Sequence, residues 1–395
     1  VESLWWNRWV LFLFLILAGS SLPVAAQNNE DRAAMEFEQQ GKTAEAEAAW
    51  NALSKEHPTS AEPYAHLGLL AAHQDHYPQA INYYRKAMAL DPAMPGLRLN
   101  LGLAYFKSEK YKQAIEIFAP LLKAQSQDAG EAQRLTVLLG MSHYGLGEYA
   151  AASPYLKQAA KHDPENLPLL LSLAHSCLLS KQYQCVLDAY HQIVARNADS
   201  AEADMLVGEA LDEMKDSAGA IREFRAAIAA DPQEPNVHFG LGYLLWTQKQ
   251  YPEAVEEFQA ELKNTPGYTQ ALLYLGDSYV QLNRFEEATT ILEKLVKENP
   301  ALAMAHLDLG IVDAETDKQP DALRELKTAA TLKPRDVNVH WRLGRLYRAM
   351  GKPAEAKAEF DQASNLTRAG DDRLLDVLQH DPEKAPGATT LPDQQ

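Results

Sequence analysis

The chain has 395 residues, enough for about two or three ordinary globular domains. With 46% hydrophobic and 23% charged residues it is too apolar for a disordered chain and too unbiased for a collagen-like or mucin-like one. Fifty-four acidic residues against 37 basic ones give a formal net charge of −17, which repels phosphate backbones and disfavours nucleic acid, and two cysteines are too few for a disulfide scaffold.

Residues 1–26 read as a secretory signal peptide. Arg8 precedes the apolar run 9–18, Gly19 and Pro23 break it, and Val24-Ala25-Ala26 sets small residues before a cleavage after Ala26. An apolar helix of that length is about 15 Å long, half a bilayer's hydrocarbon core, so the alternative of an uncleaved anchor is disfavoured. The first residue is Val rather than Met, so the start is read as a non-AUG codon or as lacking a few residues. No cysteine near the cleavage site offers a lipoprotein anchor, and no later segment is apolar enough to span a membrane.

From Gln27 the chain shows helical periodicity, no alternating strand pattern, and a repeat every 34 residues. Repeats start at 27, 61, 95, 133, 167, 201, 235, 269, 303 and 337, with one four-residue slip around Asp128–Gly130. They fill residues 27–370 and leave 371–395 as a tail. Position 8 of each repeat is Gly or Ala, as in Gly68, Gly242 and Gly344. Position 20 is Ala in nine copies and Val186 in the fifth. A helix-interior glycine costs about 1 kcal/mol against alanine, so its recurrence implies a close helix–helix approach, with positions 8 and 20 facing each other. Position 24 is a large plug, from Trp50 and Tyr84 to Phe360, and position 32 is Pro in seven copies, ending each second helix.

This pattern resembles the tetratricopeptide repeat (TPR) family, whose signature W-x₂-L-G-x₂-Y, A-x₃-F, P is matched in the eighth copy by Leu272, Leu275, Gly276, Tyr279, Ala288, Leu292 and Pro300. His238, His306 and His340 stand at the Trp position of three copies. The resemblance implies an all-α TPR solenoid: about ten helix-turn-helix repeats in a right-handed superhelix, with the first helices lining a concave groove. The tail starts with an amphipathic turn or two (Leu374, Leu375, Val377, Leu378) that caps the last repeat, then turns Pro-rich, acidic and disordered.

Catalytic and cofactor motifs do not survive inspection. Gly41-Lys42-Thr43 imitates a phosphate-binding loop, yet Glu36 stands where that loop needs glycine. Residues 145–150 match a dinucleotide fingerprint by letter but lie between two helices, with no strand before them. His66, His73 and His76 lack the three or four converging ligands that zinc requires and read as packing and exposed histidines. No cofactor, metal or catalytic residue is assigned. Cys177 and Cys185 belong to facing helices of the fifth repeat, and in an exported chain a bond between them would contribute about 2.5 kcal/mol through loop closure. Register argues against it: if positions 8 and 20 oppose, Cys177 at position 11 opposes Tyr183, and Cys185 points away.

The resemblance places the groove at positions 2, 5, 9, 12 and 13 of each first helix. In co-chaperone members these positions carry Lys and Asn that clamp a carboxylate. Here positions 5 and 9 of the first five repeats read Asp31, Met35, Ala65, Leu69, Leu99, Leu103, Val137, Met141, Leu171 and His175, so that clamp is absent. The seventh repeat carries Phe239, Tyr243 and Trp246 at positions 5, 9 and 12, one helix face that reads either as core packing or as an exposed stripe. The sixth holds nine acidic residues against three basic ones, with Glu202, Glu209, Asp212 and Glu213 assigned to the groove. Phe106 and Tyr144 add aromatic surface nearer the N-terminus, and the tenth repeat is basic, with Arg345 and Arg348 on its groove side. Aromatic anchors beside a charged rim are the composition of interface hot spots.

The chain is therefore expected to be an exported, non-enzymatic scaffold, which the resemblance sets in a bacterial cell envelope. Its partner is a protein or peptide segment of apolar or basic character. A regulatory or assembly subunit of an envelope enzyme, secretion machine or polysaccharide machine is the alternative, testable by co-purification. An enzyme is disfavoured, because almost no chain lies outside the repeats to carry a catalytic domain.

Overall fold

The computed structural model describes residues 29–124, 129–195 and 200–380. The signal peptide read at 1–26 and the last part of the tail, 381–395, lie outside the described residues. Among the described residues there are twenty helices and no strand. In chain order they pair as α1 (Asn29–Gln39) with α2 (Thr43–Glu56), α3 (Glu62–His73) with α4 (Tyr77–Leu90), and α5 (Leu97–Lys107) with α6 (Tyr111–Ala124). Then come α7 (Ala129–Gly145) with α8 (Tyr149–His162), α9 (Leu167–Leu179) with α10 (Tyr183–Val194), and α11 (Ala201–Glu213) followed by α12 (Ser217–Ala230). The series closes with α13 (Val237–Thr247) and α14 (Tyr251–Asn264), α15 (Thr269–Gln281) and α16 (Phe285–Glu298), α17 (Ala303–Glu315) and α18 (Gln319–Leu332), and α19 (Val337–Ala349) and α20 (Pro353–His380). They form two compact units, Val1–Asp216 with α1–α11 and Ser217–Gln395 with α12–α20.

One turn recurs in every repeat. Position 15 has a left-handed backbone in all ten: Gly41, Asp75, Glu109, Gly147, Lys181, Lys215, Lys249, Asn283, Asp317 and Gly351, with φ between 57° and 73°. The next amide reaches back to the carbonyl five residues earlier, as in His76 to Ala71 at 2.8 Å and Gln250 to Leu245 at 2.9 Å. This is the Schellman closure of a helix C-terminus, and it turns the chain into the second helix within about three residues. Gly41 and Gly147, the glycines that imitated nucleotide loops, are simply these turn residues.

Behind the turn, position 8 meets position 24. A methyl group on Gly68 would lie 2.5 Å from the Tyr84 ring, and one on Gly242 would lie 2.8 Å from Phe258. The rings and leucines at position 24 fill that space: Tyr84, Phe118, Leu156, Phe258 and Leu292 are each at most 1% exposed. Alanine at position 20 is buried beside them, so glycine and alanine together seat one large side chain in these hairpins.

That contact also overturns the register argument about the cysteines. Position 8 packs on position 24 as well as position 20, which moves the residue facing Cys177 from position 17 toward position 21, and Cys185 at position 19 lies within that range. Cys177 in the last turn of α9 and Cys185 in the first turn of α10 stand with Cα atoms 5.8 Å apart and form a disulfide. The turn assists this, since the Gln182 amide bonds the Cys177 carbonyl at 2.7 Å.

Two other expectations shift. The slip before the fourth repeat is taken up as an extra turn at the start of α7, which has 17 residues where α5 has 11 and α9 has 13. The boundary drawn at 370 falls inside α20, which runs unbroken for 28 residues, so the first part of the tail continues a helix instead of starting one.

The histidines at the Trp position are more specific than packing residues. His306 sets Nδ1 against Glu325 at 2.6 Å and Nε2 against the Pro300 carbonyl at 3.1 Å. His340 repeats this with Glu359 at 2.7 Å and the Pro334 carbonyl at 3.0 Å. Each ring thus ties both helices of its repeat to the proline that closes the preceding one. His238 keeps the carboxylate, Glu257, at 2.6 Å, while the Pro232 carbonyl accepts from Asn264 instead.

Gly68→Ala is expected to lower stability by about 1–3 kcal/mol, although alanine is the better helix former, because the Tyr84 ring has nowhere to go; urea unfolding measures it. Cys177→Ser is expected to lower it by about 2.5 kcal/mol under non-reducing conditions. Non-reducing mass spectrometry of the native chain reads the bond directly.

Candidate protein-binding surfaces

In the second unit the stripe of α13 is built from its base. Asn236 has a left-handed backbone, and the buried Glu261 of α14 accepts the Asn236 and Phe239 amides at 3.3 and 3.2 Å. A carboxylate at a helix N-terminus is favourable, and here it fixes where Phe239 points. Phe239, Tyr243 and Trp246 are half-buried. Their rings follow one another at 6.3 and 5.9 Å, and Tyr274 of α15 packs edge-on against Tyr243 at 5.3 Å and Trp246 at 4.9 Å. Tyr268 closes the other end, 5.0 Å from Phe239. Trp246 Nε1 donates to Asp277 at 2.5 Å, as does Gln281 Nε2 at 3.1 Å. Burial raises the Asp277 carboxyl and these two bonds pull it back only in part. The result is a five-ring aromatic surface, half covered by its own members, with an acid at its edge.

In the first unit the Tyr144 hydroxyl of α7 hydrogen-bonds His175 Nδ1 at 2.7 Å, and Tyr149 packs on both rings at 5.7 Å. Burial lowers the basicity of His175. Burial, Tyr149 and Glu202 together push the Tyr144 phenol upward. Glu209 of α11 keeps solvent access, and crowding by surrounding protein pushes its carboxyl up to about 7. Asp212 is half-buried, and Glu213 is exposed and accepts from Tyr183 at 3.4 Å. Phe106 stands apart from this group, packed edge-on against Tyr111 at 5.7 Å and lining a small apolar pocket with Leu69, Leu103 and Leu138. His66 belongs to the fold: it stacks on Trp50 at 4.2 Å and pairs with Glu38 at 3.0 Å. Among the described residues no three His, Cys, Asp or Glu side chains converge as metal ligands.

Tetratricopeptide repeat matches cover residues 71–139, 143–210 and 245–307, a second set covers 32–95, 187–235 and 212–269, and a third covers 337–369. The chain belongs to the tetratricopeptide repeat family. BBSome complex member BBS4 of Bos taurus is 26% identical over 215 residues, which are 47% of this chain and 41% of that protein. The chain thus matches about two-fifths of the length of that curated relative. Among solved structures, MamA from Desulfovibrio magneticus RS-1 aligns at 21% identity over 43% of this chain and 97% of that one, with a TM-score of 0.40. YrrB, described as a TPR protein with an unusual peptide-binding site, aligns at 18% identity over 45% of this chain and 92% of its own, with a TM-score of 0.40. The Cut9–Hcn1 hetero-tetramer of the APC/C gives 15%, 76%, 59% and 0.46. At these identities the likeness is one of fold.

The expected site residues divide between the two units: Glu202, Glu209, Asp212, Glu213, Phe106 and Tyr144 lie in the first, and Phe239, Tyr243 and Trp246 in the second. Sequence reasoning passed over Tyr274, Asp277 and Tyr149, and read His175 only as a groove position without a clamp residue. A signal exists for three of them: Tyr144 meets His175 and Trp246 meets Asp277 at a separation of 31 residues, and Tyr243 meets Tyr274 at the same spacing. That is one repeat less one helical turn, the offset between neighbouring first helices. Glu209 releases its proton near 4.5 in the unfolded chain and near 7 in the folded one. The folded state therefore holds an extra proton between those values, and stability falls as pH rises through about 7. Glu209→Gln is expected to remove that part of the pH dependence, read by urea unfolding across the interval, with an NMR titration of the wild-type carboxyl as its companion.

Proposed function

We propose that the protein is an exported, non-enzymatic scaffold of a bacterial cell envelope that holds an apolar or basic segment of a partner protein along its first helices. Membership of the TPR family supplies the interaction role. The carrying observation is the half-buried aromatic surface of Phe239, Tyr243, Trp246 and Tyr274 with Asp277 at its rim. Aromatic rings of this kind offer large contact area at low entropic cost, and the neighbouring carboxylate favours a basic group over an acidic one. The signal-like segment 1–26 and the Cys177–Cys185 disulfide support export, since such bonds persist in oxidising compartments. No helix among the described residues is long and apolar enough to cross a membrane.

The test is crosslinking pulldown from the envelope fraction of the source organism with the full chain and with Tyr243→Ala/Trp246→Ala. The double variant is expected to lose the partner while retaining its helical circular dichroism. Capture at the wild-type level would sink the assignment.

A further inference from the structure

The first helix of the tenth repeat carries a second surface of opposite chemistry. Trp341, Arg345 and Arg348 occupy positions 5, 9 and 12 of α19, the places that hold Phe239, Tyr243 and Trp246 in the seventh repeat. In the seventh repeat neighbouring rings cover the aromatics. Trp341 instead remains 44% exposed, and its companions are guanidinium groups: Arg345 at 5.1 Å and Arg342 at 5.7 Å from the ring centre. Arg348 lies over Phe360 at 5.6 Å.

None of the three arginines forms an ion pair or hydrogen bond with a carboxylate among the described residues, in a chain whose acids outnumber its bases by 54 to 37. Glu315 and Asp308 are the acids whose fields favour charged Arg342. Asp308 is a poor counter-charge, because complete burial and the nearby Asp277 hold its carboxyl well above the usual range. Burial and the like charge of Arg345 both weigh against Arg342. Its Nε is buried without an acceptor. A helix face that sets two guanidiniums against an open indole and a third over Phe360, none of them ion-paired among the described residues, is complementary to carboxylates that come from outside.

We propose that Trp341, Arg345 and Arg348 form a docking face for an acidic segment of a protein partner, with an apolar side chain over the indole and carboxylates on the guanidiniums. The exposed arginines offer planar, two-pronged donors that match carboxylate geometry. The face is distinct from the aromatic surface of α13, so a partner that fits both alternates basic or apolar stretches with acidic ones.

The probe is an acetylated oligoglutamate peptide, titrated by calorimetry against the full chain at low ionic strength, with oligolysine as the control. Oligoglutamate is expected to bind and oligolysine not to compete. Arg345→Glu with Arg348→Glu is expected to weaken binding at least about tenfold, with unchanged helical circular dichroism and thermal midpoint. Trp341→Ala is expected to weaken it as well. Arg222→Glu, an exposed charge on α12, is expected to leave it as it was. Tyr243→Ala/Trp246→Ala is also expected to leave it unchanged, which separates this face from the proposed partner groove. Equal affinity in the charge-reversed variant overturns the proposal, as does an equal loss with Arg222→Glu. Wild-type self-association in sedimentation that disappears on charge reversal also overturns it, because the occupant is then a second copy.

Discussion

The structure depends on one contact and the turn that permits it. A glycine or alanine at position 8 lies against a large side chain at position 24, so close that an added methyl at Gly68 would fall inside the Tyr84 ring's contact distance. Two helices reach such proximity only when the connection between them is short and correctly bent. The left-handed residue at position 15 with its five-residue-back hydrogen bond provides that bend in every repeat. Only three of the ten are glycine, so the others accept an unfavourable backbone region because the helix end and the hairpin core require it.

Once the hairpins are closed, the chemistry of the groove follows from what the core has left over. Positions 8, 20 and 24 are consumed inside the hairpins, and positions 5, 9 and 12 of the first helices vary from repeat to repeat. The array spends that freedom differently in different places. The seventh repeat sets three aromatic rings there, and the tenth sets a tryptophan and two arginines on the same frame. A repeat protein can thus hold its packing constant and write a sequence of unlike surfaces along one face.

Local ties reinforce particular joints. The His306 and His340 rings each lie between two acceptors, a carboxylate of their own repeat and a proline carbonyl of the one before. The Cys177–Cys185 bond performs a similar service inside the fifth repeat, where the buried Val186 replaces the usual alanine.

Much of this was legible in the sequence, for a physical reason. A period of 34 residues that sets small, large and proline residues at fixed positions leaves one solution, the stacked helical hairpin, because each repeat must bury the same face against its neighbours. The aromatic stripe of α13 and the acidic character of α11 could also be read, being properties of single helices. What a single helix cannot show is its neighbour's offset. The 31-residue spacing that brings Tyr274 and Asp277 onto the stripe, and His175 onto Tyr144, appears only when first helices stand side by side. The disulfide failed the same way: the facing register was taken from two small positions, whereas packing is set by the small residue against the large one. Sequence by itself determined the repeat and the fold; tertiary structure alone decided which groove-position residues stay open and which of them meet, because contacts between repeats depend on how closely the helices approach.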